Sequence, residues 1–164
     1  MIEYMNLIGI KARKASEYKI TTKVKNKVLG DYAKLIKKEK QFIIIQNLKD
    51  VNYAKKKRLK ENLIKRLYLN DNKLNGIVNS ILKIAKLKDP IDNTLEKWKR
   101  PNGLNIKRVS IPIGVIGVIY ESRPNVTSDV ASLCFKSGNV VVLKGGSEAI
   151  NSNKALAKLF RKAL

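Results

Sequence analysis

The chain has 164 residues, 35 Lys+Arg against 13 Asp+Glu, a formal net charge of +22, one cysteine and no histidine. That length allows one domain with a real core. The missing histidines exclude His general bases, Ser-His and Cys-His pairs and His-ligated metals, and the lone cysteine excludes an internal disulfide.

The basic surplus would ordinarily suggest an acidic partner such as nucleic acid or an anionic membrane. Here it is mostly Lys scattered among Asn and Ile, the pattern left by AT-rich coding. Arg, the main base reader, is scarce, and the few aromatics are not interleaved with the basic runs, so no specific nucleic-acid partner is expected. No apolar run approaches the roughly 20 residues that cross a bilayer, and the N-terminus has no signal-peptide core. The expectation is a cytoplasmic, soluble protein without a membrane partner.

Residues 1–90 read as a helical segment. Met5, Ile8, Ala12 and Ala15 form a stripe on an opening helix. Thr21 or Thr22 caps a second, with Val24, Val28, Tyr32, Leu35 and Ile36 inward. Phe42 to Asn52 continues helically. KKKRLKENLIKR, from Lys55, places Leu59, Leu63 and Leu67 at helical spacing and predicts one amphipathic helix with a solvated face. Asn70–Asp71 offers a cap for the helix carrying Leu74, Ile77, Val78, Ile81, Leu82 and Ala85, which Asp89–Pro90 ends.

Residues 91–112 predict a β-hairpin or ribbon. TLEKW and LNIKRVSI flank the turn Pro101–Gly103. Its partners are expected within the domain or on another subunit; the exposed edge over 94–110 is a surface for strand addition, through which a homo-oligomer can form.

Residues 113–164 predict a βαβα unit. Apolar runs Val115–Tyr120 and Val140–Leu143 flank one helix length. Gly114 and Gly117 suggest a close approach of backbone or ligand, without a G-x-G-x-x-G fingerprint. Thr127, Ser128 and Asp129 open the crossover helix, and Gly138 suits its left-handed end. The second strand reads as buried on both faces. Ser147 caps a final helix, Glu148–Leu164. A parallel sheet of two strands is not self-sufficient, so the sequence is expected to be incomplete relative to the α/β fold it begins.

In open α/β sheets ligands gather at the carboxyl ends of strands, which selects ESRPN and KGGSE. Lys144, Gly145, Gly146 and Ser147 form a cationic, glycine-rich entrance to a helix, where outward N–H groups and the helix dipole favour an anion. The same residues also suit a plain surface turn. Glu148 can bond a ribose hydroxyl or simply favour the helix start. Arg123 can grip a carboxylate or phosphate. Asn125 can donate to a developing oxyanion, an effect of about 3–4 kcal/mol in acyl-transfer sites; Pro124–Asn125 equally suits turn chemistry plus a helix cap. Cys134 lies mid-helix among Val130, Leu133 and Phe135, which predicts an inert packing role.

The run PIGVIGVIYESRPNVTSDVASLCFKSGNVVVLKGGSEAINSN, above all YESRPNVT and KGGSEA, resembles the signature region of the gamma-glutamyl phosphate reductase (glutamate-5-semialdehyde dehydrogenase) family of the aldehyde dehydrogenase superfamily. The helical first half and LKDP…NGLNIKRV resemble it more loosely. The resemblance covers the family's N-terminal part. It implies helices and a β-ribbon leading into the start of a parallel-sheet NADP-binding domain, with the catalytic domain absent. The implied reaction is NADPH-dependent reduction of the small-molecule substrate L-glutamyl 5-phosphate to L-glutamate 5-semialdehyde in proline biosynthesis, through a cysteine thioester. It further implies that Asn125 stabilises the oxyanion, and that Lys144 and Ser147 face the adenosine ribose and its 2′-phosphate. Glu121, Ser122, Arg123, Gly145, Gly146 and Glu148 complete the implied cofactor set. The nucleophilic cysteine of that family does not match Cys134. The chain is therefore expected to be inactive alone: a fragment, a truncated reading frame or half of a split enzyme that works with a complementing chain. A basic nucleic-acid-binding module is the other reading.

Overall fold

The computed structural model describes residues 2–164. The helices are α1 (Ile2–Ser16), α2 (Thr22–Lys38), α3 (Lys40–Lys56), α4 (Glu61–Leu67), α5 (Asp71–Lys86), α6 (Pro124–Lys136) and α7 (Ile150–Ala163). The strands are β1 (Thr94–Lys99), β2 (Asn105–Val109), β3 (Val115–Ile119) and β4 (Val140–Lys144). Strands β1 and β2 form an antiparallel ribbon, and β3 and β4 a parallel pair connected through α6.

The core lies between helices rather than on the sheet. Leu29, Tyr32 and Ile36 of α2 meet Leu74, Ile77, Val78 and Ile81 of α5 and Leu156 and Leu159 of α7. Tyr32 and Phe135 each pack edge-to-face with Phe160, with ring centroids 4.9 and 5.7 Å apart, a favoured arrangement of ring quadrupoles. α3 packs on α7, and α6 on α5 and α7.

Two caps are those the sequence signals. Thr21 accepts from the Val24 N–H and Asn70 from the Lys73 N–H. The phase of two helices differs from the expected one. In α2 the inner face runs Lys25, Val28, Leu29, Tyr32, Ala33 and Ile36, leaving Val24 exposed. A lysine occupies that face because Asp89 pairs with it: Lys25, 1% exposed, lies 3.0 Å from the Asp89 carboxylate. In α5 Ile84 is buried and Leu82 exposed. The α1 stripe buries only Ala12, and Met5 and Ala15 stay exposed.

KKKRLKENLIKR is not one helix. α3 stops at Lys56, Arg58 takes a left-handed φ of 52°, and α4 starts at Glu61. The break turns the chain back, so Leu67 joins Val51, Ala54 and Ala149 in a second small core. A periodicity of leucines cannot reveal it, since Leu59 and Leu67 pack from either side of the turn.

The crossover helix begins at Pro124, three residues before Thr127, with Arg123 in the N-cap position. Proline suits a first helical position because the N–H it lacks has no helical partner there. Thr127 and Ser128 are thereby interior and buried, and the Ser128 hydroxyl lies 2.7 Å from the Tyr32 hydroxyl. Gly138 ends the helix with φ +69°. Gly114 precedes β3 with φ +114°, and a methyl group at Gly114 or Gly117 would meet nothing within 4 Å. Neither glycine marks a close approach within the described residues. Strand β4 is half-buried rather than enclosed on both faces, and alternate β3 side chains are exposed, Ile119 to 83%.

Candidate functional site

Parallel pairing puts Ile119 opposite Lys144, and the Tyr120 N–H donates to the Lys144 carbonyl at 3.0 Å. The loops leaving β3 and β4 therefore start side by side. A hydrogen bond ties them together: the Ser122 hydroxyl donates to Glu148 Oε2 at 2.6 Å. A second link runs from the Tyr120 hydroxyl to Thr127 Oγ1 at 2.7 Å, which donates to Asn153 Oδ1 at 2.9 Å. The two glycines make this approach possible. A Cβ at Gly145 would collide with Asn153 and the Tyr120 ring, and one at Gly146 with Ser122 and Glu148. Since Gly146 has φ −57°, the requirement there is space rather than backbone freedom.

The Glu148 carboxyl is held below its ordinary range by the Ser122 hydroxyl first and then by its own N–H; burial opposes them, and the Ser147 hydroxyl adds a lesser lowering. Lys144 and Ser147 are exposed beside this clamp. A cation and a hydroxyl thus follow β4 on a loop where a Cβ at 145 or 146 would displace its neighbours, and both groups can donate to an anion.

Glu121 and Arg123 form an ion pair, Arg123 Nε lying 2.7 Å from Glu121 Oε1. The N–H there is not aligned for a hydrogen bond, so the contact is electrostatic. Arg66, from α4, pairs with the other Glu121 oxygen at 3.3 Å. The sequence reading missed Arg66, since no spacing links α4 to the β3 loop. Arg123, read as an anion receptor, thus already faces one carboxylate. Asn125 sits in the first turn of α6, and its amide donates to Asp129 Oδ2, one turn on, at 3.3 Å. The other oxygen, Asp129 Oδ1, is buried and accepts from no group of the described residues.

The final helix corrects another expectation. Ser147 opens a short 3₁₀ turn, Ser147–Ala149, and makes no side-chain cap bond; α7 proper begins at Ile150. Its first-turn donors do not face solvent. Asp50, buried on α3, accepts from the Asn151 N–H at 3.1 Å and the Ser152 N–H at 2.7 Å. An anion at the loop is therefore left to Lys144 and the loop itself, not to the α7 terminus. Cys134, 8% exposed, packs within α6, and burial pushes its thiol pKa up. That suits packing and not nucleophilic attack.

No family model matches the chain. A gamma-glutamyl phosphate reductase of Clostridium tetani is 45% identical over 159 residues, 96% of this chain and 37% of that protein. A solved gamma-glutamyl phosphate reductase from Thermotoga maritima superposes with TM-score 0.91 at 42% identity, covering 94% of this chain and 38% of that one. A solved putative aldehyde dehydrogenase from Bacillus subtilis gives TM-score 0.69 at 19% identity over 93% of this chain, a likeness of fold. The chain thus spans little more than a third of the length of the relatives it matches.

Proposed function

The chain belongs to the gamma-glutamyl phosphate reductase family, as its N-terminal part, with the aldehyde dehydrogenase type of fold, and from that premise we propose that its two strand-end loops form the adenosine half of an NADPH site. The observation that supports this reading is the Ser122–Glu148 hydrogen bond, which joins the loop after β3 to the loop carrying the exposed Lys144 and Ser147. Lys144 supplies charge to the 2′-phosphate, and Ser147 supplies a hydroxyl where a carboxylate would repel it. In the complete enzyme the bound cofactor supplies hydride for reduction of L-glutamyl 5-phosphate. There Asn125, one of its amide hydrogens directed to Asp129, keeps the other for the oxyanion of the acyl group. Cys134 is not the nucleophile, since its thiol is buried in the crossover helix.

Titration of the purified chain with NADPH and with NADH tests the reading. NADPH binds more tightly, and Lys144→Ala weakens NADPH about tenfold, the effect of one charge-assisted hydrogen bond, while leaving NADH nearly unchanged. Equal weakening of both cofactors, or of neither, removes Lys144 from the phosphate.

A further inference from the structure

We infer that Asp50 is a positioning residue for the cofactor loop, an inference that rests on the NADPH reading above. The loop Gly145–Ala149 has two ends. One is fixed by β4. The other is fixed by a carboxylate from α3, 101 and 102 residues earlier in the chain: Asp50 Oδ1 accepts from the Asn151 N–H and, at 2.7 Å, from Asn151 Nδ2, while Oδ2 accepts from the Ser152 N–H and, at 2.6 Å, from the Ser152 hydroxyl. Both oxygens are used, and both residues at the centre are buried, with Asp50 1% and Ser152 0% exposed. Asn47, one turn earlier on α3, also donates to the Ser152 hydroxyl, at 3.0 Å.

Two consequences reach the site. The start of α7 cannot shift without breaking bonds to a buried carboxylate, so Ser147 and Glu148 are held against Ser122. The negative charge behind the helix start also opposes the dipole that would otherwise attract an anion there. Discrimination for the 2′-phosphate is therefore concentrated on Lys144, held by β4, while Asp50 sets where the loop presents Ser147 and Glu148 beside it.

The test compares the wild-type chain with Asp50→Ala and Ser152→Ala, at a temperature where circular dichroism shows each folded. Amide hydrogen exchange is read at residues 145–152 and on α5 and the β1–β2 ribbon, alongside NADPH and NADH affinity. In Asp50→Ala, exchange rises at 145–152 with α5 and the ribbon unchanged, and NADPH affinity falls at least tenfold. In Ser152→Ala, which keeps the backbone donors, affinity falls about threefold. A merely structural role would instead raise exchange across α5 as well. Unchanged exchange at 145–152, or NADPH affinity within twofold of wild type in folded Asp50→Ala, overturns the inference. Should that variant not fold, unchanged loop exchange in Ser152→Ala overturns it equally. If the wild-type chain binds no NADPH, the cofactor reading itself fails, while the exchange measurement still decides whether Asp50 anchors the loop.

Discussion

Lys25 and Asp89 show how a single side chain escapes a pattern. Lys25 falls on the apolar face of α2 and is buried because Asp89, 64 residues away, takes its ammonium. Burial pushes the Asp89 carboxyl up, but bonds from Thr22, Lys25 and the Ile91 N–H, with the Lys25 charge, more than offset this and leave its pKa below the ordinary value. A carboxyl whose folded value is depressed contributes stability that is present above the unfolded value, about 3.9, and lost as pH falls through the folded one. Asp89→Asn strands a buried ammonium and destabilises the chain by about 3 kcal/mol at pH 7, the low end for a broken buried pair because Asp89 is partly exposed. Urea midpoints of variant and wild type converge as pH drops below about 4; a gap that stays constant to pH 2 would mean the pair is not the source. At this scale the local runs of the site were legible: Lys144, Gly145, Gly146 and Ser147 are neighbours in sequence and stay neighbours in space. Asp50 and Arg66 were not, because their partners are brought to them only by the packing of α3 and α4.

Between elements, the α3–α7 contact is organised by polar groups where an apolar seam would be expected. Asn47 donates to the Leu67 carbonyl at 2.9 Å and accepts from the Leu69 N–H at 2.7 Å, so it also fixes the chain between α4 and α5. Asn47→Ala leaves both backbone groups buried without partners and costs about 2–3 kcal/mol, read as a lower urea midpoint with an unchanged m-value. A loss below 0.5 kcal/mol would show that the 67–69 segment is held by something else. Helix starts written as a short polar residue before an apolar period were legible at Thr21 and Asn70. The start of α6 was read late, since Thr127–Ser128–Asp129 looks like a cap while the actual first turn contains Pro124. The start of α7 was misassigned because its cap is a residue of another helix.

Taken as one object, the molecule is a helical core with two small sheets of different exposure. The βαβ order and parallel pairing were legible from two β-branched runs separated by one helix length. That β4 is only half covered was not, since an apolar sequence reports what a strand prefers and not which neighbours are present. The β1–β2 ribbon is the opposite case: its residues are almost all exposed, and among the described residues its strands pair with each other alone, Trp98 across from Ile106 and Lys97 across from Lys107. Trypsin offered the folded chain will accordingly cut first at Lys97 or Lys99, before any helical bond; the Arg100–Pro101 bond resists it. The two products, parted in sequence but still joined where α6 and α7 lie on α2, α3 and α5, will travel as one species on gel filtration and separate only in denaturant, so the ribbon is where this polypeptide can be severed and remain whole.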